Sequence, residues 1–307
     1  MKRTLPFVLL FLTLAIFNSG CQLFDKDEQI PSYVIVDSVV LTPNYPDFGT
    51  SSHNISDVWV YANDVSIGCF ELPARIPILA EGSTKLTFSA GIKVNGMAAT
   101  RATYPFYSIK TYQVTLTPGM ENAVRIKPVF DFHPSSVVTY NEDFESAGII
   151  FEKTSSSDTT IMATNNPADV FVNTLDPTEI SNYSGVIDLT TEKDSFQIQN
   201  INAYTLPKNG TYTFLELNYN CTTPFHIGIL PYPMSIGSSA ASDLVGVNPT
   251  DGKWKKIYVN LTTAVSGASS GYTTFKVFFT GSLTSGHTSD KILLDNIKLI
   301  HAPGSKK

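Results

Sequence analysis

The chain has 307 residues, with 21 Lys and Arg against 27 Asp and Glu, for a net charge of −6 at pH 7. At roughly 100–200 residues per domain, this length predicts two domains. An acidic chain without a cluster of basic residues is a poor nucleic-acid binder, so we expect no nucleic-acid partner. Three cysteines are too few for a disulfide framework, and we expect Cys69 and Cys221 to behave as small buried hydrophobes.

The first twenty residues have the composition of a secretion signal. Lys2 and Arg3 precede an apolar run over residues 5–17, and small residues follow it. This run is shorter than the about 20 apolar residues that span a bilayer. Residues 1–20 are therefore predicted to be a cleaved signal peptide.

The residues after the signal suggest where the protein is attached. Ser19-Gly20-Cys21 resembles the bacterial lipobox, which implies lipidation of Cys21 and attachment to the membrane through the lipid. The acidic tether, residues 21–32, resembles the surface-export signal of Bacteroidota lipoproteins. That resemblance implies an outer-membrane lipoprotein exposed at the cell surface. The alternatives are an ordinary cleaved signal with an incidental Cys21, and a plain solvated linker.

Period-two alternation and β-branched or aromatic runs dominate the rest of the chain, and helix signals are nearly absent. The predicted strands of a first unit are 33–41, 58–62, 83–92, 111–116 and 122–132. Those of a second unit are 149–154, 184–188, 195–198, 211–220, 225–230, 255–261, 273–280 and 291–300. Many short strands bounded by turn residues predict an all-β protein with two β-sandwich domains in series, at 33–133 and 138–302.

The first predicted domain contains an alternating strand at residues 57–62, followed by a polar turn at Asn63-Asp64 and then by Gly68. A Pro-bounded loop leads from there to the strand after Gly82. This order resembles the PEGA-type, Ig-like sandwiches of bacterial envelope proteins. The resemblance implies a small sandwich without a general catalytic site.

The second predicted domain opens with the acidic segment 142–145 and closes with a strand that carries Asp295-Asn296. Together with the segment 251–261, this order resembles jelly-roll carbohydrate-binding modules and galactose-binding-like domains. In such domains the first acidic strand and the last-strand Asp share a structural Ca²⁺, an ion that prefers oxygen ligands. The resemblance implies a Ca²⁺ site at Glu142, Asp143, Glu145 and Asp295. The alternative is that these are solvated charges at strand ends.

Glycan binding needs flat aromatic faces beside a few polar groups. The candidate ligand-binding residues of the second domain are Tyr204, Tyr219, Tyr232, Trp254 and Tyr272. Tyr232 lies between two prolines, which favours an exposed loop. Trp254 opens an alternating strand, where a Trp more often belongs to the core of a sandwich than to a binding site.

Catalysis has little support in the sequence, and we expect no enzyme activity. The segment 267–271 matches Gly-x-Ser-x-Gly, but a nucleophile elbow needs a strand before it and a helix after it, and here a strand is predicted to follow. The first functional hypothesis is a lipid-anchored protein that binds an extracellular polysaccharide through the jelly roll. The alternative is a structural or accessory lipoprotein that docks onto an outer-membrane transport or secretion complex.

Overall fold

The computed structural model of the chain describes residues 28–43 and 48–304. The predictions for the signal peptide, for Cys21 and for the tether up to residue 27 lie outside these residues. The fold is all-β, as predicted, with one short helix in the described ranges, α1 (Thr262–Gly267). Within the same ranges, no helix combines the length and the apolar character of a membrane span.

The N-terminal sandwich comprises the first ten strands. These are β1 (Ser32–Val36), β2 (Val40–Leu41), β3 (Ile55–Ala62), β4 (Val65–Glu71), β5 (Ala74–Ile78), β6 (Gly82–Lys93), β7 (Arg101–Thr103), β8 (Lys110–Leu116), β9 (Gly119–Arg125) and β10 (Val129–Phe130). One sheet has the order β4-β3-β6, with β7 and β8 both paired to β6. Two antiparallel strands, β1 and β5, and two parallel strands, β2 and β10, form the remaining pairs.

The C-terminal sandwich comprises the remaining twelve strands. These are β11 (Val137–Glu142), β12 (Phe151–Lys153), β13 (Met162–Thr164), β14 (Ser184–Thr190), β15 (Ser195–Asn200), β16 (Tyr204–Thr205), β17 (Thr213–Cys221), β18 (Phe225–Pro231), β19 (Ser242–Val247), β20 (Lys255–Asn260), β21 (Thr274–Ser282) and β22 (Ser289–His301). Two six-stranded sheets share them. We call β13-β14-β22-β17-β20, with β11 beside β22, the covered sheet. We call β12-β15-β21-β18-β19, with β16 beside β21, the groove sheet.

Strand periodicity decides which side chains enter the core between these two sheets. On β15, Phe196 and Ile198 are buried in the core, whereas Gln197 and Gln199 alternate with them and point outward. On β17, Leu215, Leu217 and Tyr219 share the inward side. The outward side of β17 carries polar groups that need partners outside the core.

The outer face of the covered sheet packs against the N-terminal sandwich. Phe214, Tyr258 and Ile300 project from it and are buried among the core residues of that sandwich. The Tyr104 hydroxyl donates to Glu216 Oε1 at 2.6 Å, and the hydroxyls of Tyr107 and Tyr258 lie 3.0 Å apart. The aromatic cluster at residues 104–107 therefore belongs to the contact between the two sandwiches.

Cys69 differs from its prediction. It is exposed, because it lies on the outward side of the edge strand β4, opposite Trp59. Cys221 is buried as expected, and both thiols are free.

Candidate functional site

A groove lies on the outer face of the groove sheet, which the N-terminal sandwich does not cover. Its volume is about 330 Å³. Gln197 and Gln199 of β15 and Lys276 of β21 line it, and we call it the Tyr232 groove. One wall is the segment 154–156 after β12, and the other is the segment 232–236 after β18.

Tyr232 is the exposed aromatic side chain of this groove. It directly follows β18, and half of the residue is exposed. Its backbone N–H donates to the Thr274 carbonyl at 2.9 Å, which extends the contact between β18 and β21 by one residue. The Lys276 ammonium lies 5.6 Å from the centre of its ring, at a distance that allows a cation–π contact.

Tyr272 supports the loop that carries Tyr232 and is itself half-buried. Its hydroxyl contacts Met234 Sδ at 3.4 Å, and the Met234 N–H donates to the Pro231 carbonyl at 2.9 Å. Tyr272 therefore holds the groove wall from behind and does not line the groove.

The groove offers polar groups that the protein itself leaves available. Gln197 accepts a hydrogen bond from the Thr154 hydroxyl at 3.1 Å, and Gln199 donates to Glu152 at 3.3 Å. Among the described residues, no hydrogen bond engages the other polar atom of either amide or the Tyr232 hydroxyl. Lys276 Nζ lies 3.3 Å from Glu152 Oε1, so the one cation of the groove has an anionic neighbour.

The other predicted aromatic residues lie elsewhere. Tyr219 is 91 % buried in the core, and Tyr204 is half-buried against Tyr140, with ring centres 4.9 Å apart. Trp254 is half-buried, donates from Nε1 to the Val170 carbonyl at 3.2 Å and lies edge-on to Phe171. Of the five candidates, only Tyr232 lines the groove.

The four predicted calcium ligands are engaged by donors of the fold. Glu142 accepts from the backbone N–H groups of Phe144 and Ile150, at 2.9 and 2.8 Å. Asp143 accepts from the backbone N–H of Glu145 at 3.2 Å, and the Glu145 carboxylate accepts from residues 182 and 183.

Asp295 is buried, where it accepts from the Ser184 hydroxyl at 2.5 Å and from the Asn296 N–H at 2.6 Å. Burial raises the pKa of Asp295 to about 8, which disfavours the ionised form that a calcium ligand needs.

In residues 28–43 and 48–304, no group of three or more His, Cys, Asp or Glu side chains is arranged to hold a metal ion. The Ca²⁺ site stays a prediction, and calorimetry with and without a chelator tests it. A melting temperature that does not change would remove it.

The Gly-x-Ser-x-Gly segment does not have the geometry of a nucleophile elbow. α1 ends at Gly267, and β21 begins at Thr274, so a helix precedes the segment and a strand follows it. The carbonyls of Ala268 and Ser269 accept from Lys208 Nζ at 2.5 and 2.9 Å, which holds this loop against the sandwich.

Comparisons with known proteins find similar folds. No protein family matches the sequence, and no curated protein matches it. The similar solved structures include the CBM22-1 and GH10 modules of Clostridium thermocellum endo-1,4-β-D-xylanase 10B with xylohexaose. That chain is 12 % identical in sequence to this one. The structural match covers 55 % of this chain and 29 % of that chain, at a TM-score of 0.37.

Two further similar structures are shorter chains. TmCBM61 in complex with β-1,4-galactotriose is 12 % identical over 48 % of this chain and 85 % of its own, with a TM-score of 0.30. A family 29 carbohydrate-binding module is 9 % identical in sequence; the match covers 55 % of this chain and 88 % of that chain, with a TM-score of 0.29. At these identities the likeness is one of fold alone.

Sequence reasoning missed Gln197, Gln199 and Lys276. The signal was present, because polar residues alternate with Phe196 and Ile198 in β15 and with Phe275 and Val277 in β21. Such alternation places the polar side chains on the face away from the core.

Proposed function

We propose that this protein is a lipid-anchored envelope protein that binds an extracellular glycan in the Tyr232 groove. The observation that supports this most is an exposed aromatic ring beside amide groups that have unused hydrogen-bonding capacity. Small-molecule sites combine apolar surface with a few such polar groups.

The proposed binding mode follows from the two surfaces that a sugar ring presents. Its C–H face packs against the Tyr232 ring, since aromatic side chains provide a large rigid area at low entropic cost. Its hydroxyls donate to Gln199 Oε1 and accept from Gln197 Nε2. Because hydroxyls both donate and accept, one sugar residue can use both amides.

The anchor is the second part of the proposal. A lipid on Cys21 would tether the protein to the outer membrane and place the groove outside the cell, where polysaccharides are met. Each buried acyl CH₂ contributes about 0.8 kcal/mol, so two or more chains hold a protein stably. Metabolic labelling with a palmitate analogue tests this, and we expect Cys21→Ala to abolish the label. A label that persists in Cys21→Ala would contradict it.

Affinity electrophoresis on a panel of polysaccharides tests the glycan part. We expect at least one polysaccharide to retard the wild-type protein, and Tyr232→Ala to lose about tenfold in affinity, or about 1.4 kcal/mol. Tyr212→Ala is the matched control, because Tyr212 is also about half exposed but lies outside the groove.

Two results would contradict the proposal. One is equal retardation of wild type and Tyr232→Ala by every polysaccharide that binds. The other is no retardation by any polysaccharide, which would favour the alternative, a lipoprotein that docks onto an outer-membrane complex.

A further inference from the structure

A hollow lies at the end of the N-terminal sandwich that residues 28–31 enter, and we call it the entry hollow. Its volume is about 430 Å³, and its lining consists of Gln29, Ile30, Leu79, Ala80, Glu81 and Pro118. Three segments meet there: the residues before β1, the turn between β5 and β6, and the turn between β8 and β9. It shares no lining residue with the Tyr232 groove.

Two large apolar side chains of the entry hollow are mostly exposed. Ile30 and Leu79 are each 69 % exposed, the highest value for a large apolar residue in the described ranges. Single exposed apolar residues are normal on a protein surface, but these two share one hollow with Ala80 and Pro118. Their convergence indicates a surface that another molecule covers when the protein works.

Hydrogen bonds between the three segments hold the walls of the entry hollow. The Ser32 hydroxyl donates to the Ala80 carbonyl at 2.6 Å, which ties the start of β1 to the turn after β5. The Gly119 N–H donates to the Pro31 carbonyl at 3.0 Å, and Ser32 forms a β-bridge with Pro118. The apolar surface is therefore preorganised, which reduces the ordering cost of covering it.

The entry hollow and the C-terminal sandwich lie at opposite ends of β6. This strand begins at Gly82, directly after the hollow, and ends at Lys93. Just beyond Lys93, the Asn95 N–H donates to the Tyr258 carbonyl of the C-terminal sandwich at 2.9 Å. Twelve strand residues at about 3.3 Å each separate the two ends by up to about 40 Å. The hollow therefore faces away from the C-terminal sandwich.

The proposed anchor lies close to the entry hollow along the chain. Seven residue steps separate Cys21 from Glu28. At no more than about 3.6 Å per residue, these steps reach at most about 25 Å. A lipid on Cys21 would therefore keep this end of the N-terminal sandwich near the bilayer, with the C-terminal sandwich at the far end.

The charges beside the entry hollow decide which lipid surface suits it. Glu28 and Glu81 are both exposed and flank the apolar residues, and no Lys or Arg is among the described lining residues. Anionic bilayers attract basic segments and repel carboxylates. The hollow therefore fits a surface of lipids without net charge.

We propose that the entry hollow rests on the bilayer and inserts Ile30 and Leu79 into the interface of lipids without net charge. This contact rests on the lipid anchor proposed above and adds a protein surface to it. Binding of apolar side chains at the interface grows with the apolar area that they bury. The contact orients the N-terminal sandwich and directs the C-terminal sandwich, with the Tyr232 groove, away from the membrane.

Fluorescence quenching of the full lipidated chain in phosphatidylcholine vesicles tests the contact. Leu79→Trp places a reporter in the hollow, and brominated acyl chains quench indoles that enter the lipid. We expect brominated vesicles to quench Leu79→Trp more than the wild type, in which Trp59 and Trp254 give the background. Ile109→Trp is the matched control and should behave as the wild type, because Ile109 is 64 % exposed but lies two residues from Tyr107 at the contact between the sandwiches.

Two further measurements test the chemistry of the contact. Leu79→Asp should speed the transfer of the lipidated protein between vesicles about tenfold, or about 1.4 kcal/mol, whereas Ile109→Asp should leave the rate unchanged. Phosphatidylglycerol vesicles should quench Leu79→Trp less than phosphatidylcholine vesicles, because Glu28 and Glu81 oppose an anionic surface. Melting temperatures check that each variant folds.

The outcomes separate this contact from the anchor. Equal quenching of Leu79→Trp and Ile109→Trp, in protein whose Cys21 carries the palmitate label, would overturn the contact and leave the anchor in place. A Cys21 without the label would overturn both. Self-association of the Cys21→Ala chain that Leu79→Asp abolishes would also overturn the contact, because a second copy would then cover the hollow.

Discussion

The two outer faces of the C-terminal sandwich each carry a Lys–Glu pair, and the two pairs have different surroundings. On the covered sheet, Lys256 and Glu216 lie 2.8 Å apart, and their side chains are 3 % and 0 % exposed. On the groove sheet, Lys276 and Glu152 lie 3.3 Å apart, and their side chains are 8 % and 45 % exposed. The same chemistry joins two domains where it is covered and borders a groove where it is not.

The covered pair belongs to a wider network. Glu216 also accepts from Tyr104, and Lys298 Nζ lies 3.5 Å from Glu216 Oε2. The Lys298 ammonium lies 4.4 Å from the ring centre of Phe132 in the N-terminal sandwich. Burial alone would raise the pKa of Glu216, but Lys256 and Lys298 outweigh it and hold that pKa at about 2. The carboxylate therefore stays ionised and holds both ammonium groups.

The largest expected effect is therefore the loss of Glu216. Glu216→Ala leaves two buried ammonium groups without their anion, and breaking such a pair costs about 3–5 kcal/mol of unfolding free energy. Urea denaturation, followed by fluorescence and circular dichroism, measures the cost. A loss below about 1 kcal/mol would contradict a structural role for the covered pair.

A second prediction compares Glu216 with another carboxylate of the covered sheet. Asp295 has no ammonium partner among the described residues, and its pKa is raised to about 8 from an ordinary value of 3.8. The folded state keeps the proton that the unfolded state loses near pH 4. The retained proton contributes its full share to the free energy of unfolding below pH 4. This contribution declines as the pH rises to about 8, by at most about 1.4 kcal/mol per pH unit.

Asp295→Asn keeps the shape of the side chain and removes the titration. Between pH 4 and 8 the wild type should lose unfolding free energy relative to Asp295→Asn. Above about pH 8 the difference between the two proteins should become constant. A difference that is independent of pH would contradict the raised pKa. The same stability curve for Asp188→Asn, which changes an exposed carboxylate on β14 of the same sheet, is the control.

A third prediction concerns the uncovered face. Gln199→Ala removes one amide of the Tyr232 groove, and a hydrogen bond of this kind contributes about 0.5–1.5 kcal/mol. We expect the glycan affinity to fall about two- to tenfold, with unfolding free energy nearly unchanged. Gln113→Ala, on the N-terminal sandwich, is the matched amide control. An unchanged glycan affinity in Gln199→Ala would remove this residue from the site.

The smallest expected effect is the loss of Glu152. Because its side chain is about half exposed, Glu152→Ala should cost about 0–1 kcal/mol of unfolding free energy. The same urea denaturation measures it. A cost as large as that of Glu216→Ala would contradict the comparison between the two faces.

The all-β fold was predictable because strand periodicity is a local property. The predicted strand 195–198 lies within β15, and 225–230 lies within β18. The missed strands are β4, β5, β7, β11, β13, β16 and β19. In β4, Gly68 and Cys69 interrupt the alternation of an edge strand that is mostly exposed, and β13 has only three residues.

Strand periodicity, had it been applied to the five candidate aromatic residues, would have separated core positions from outward ones. Tyr219 has the same parity as Leu215 and Leu217, so its burial in the core follows from the sequence. Tyr232 was identified from its flanking prolines. The contact between the two sandwiches depends on distant segments, such as Ser51 with Glu179, and local patterns cannot predict it.

The most direct measurement of the central claim is an NMR titration of the side-chain amides with a polysaccharide fragment that the protein retains. The account predicts that the amide signals of Gln197 and Gln199 shift with the ligand, and that the signal of Asn218 on the covered face does not. Unshifted Gln197 and Gln199 signals at saturation would contradict the assignment of glycan binding to the Tyr232 groove.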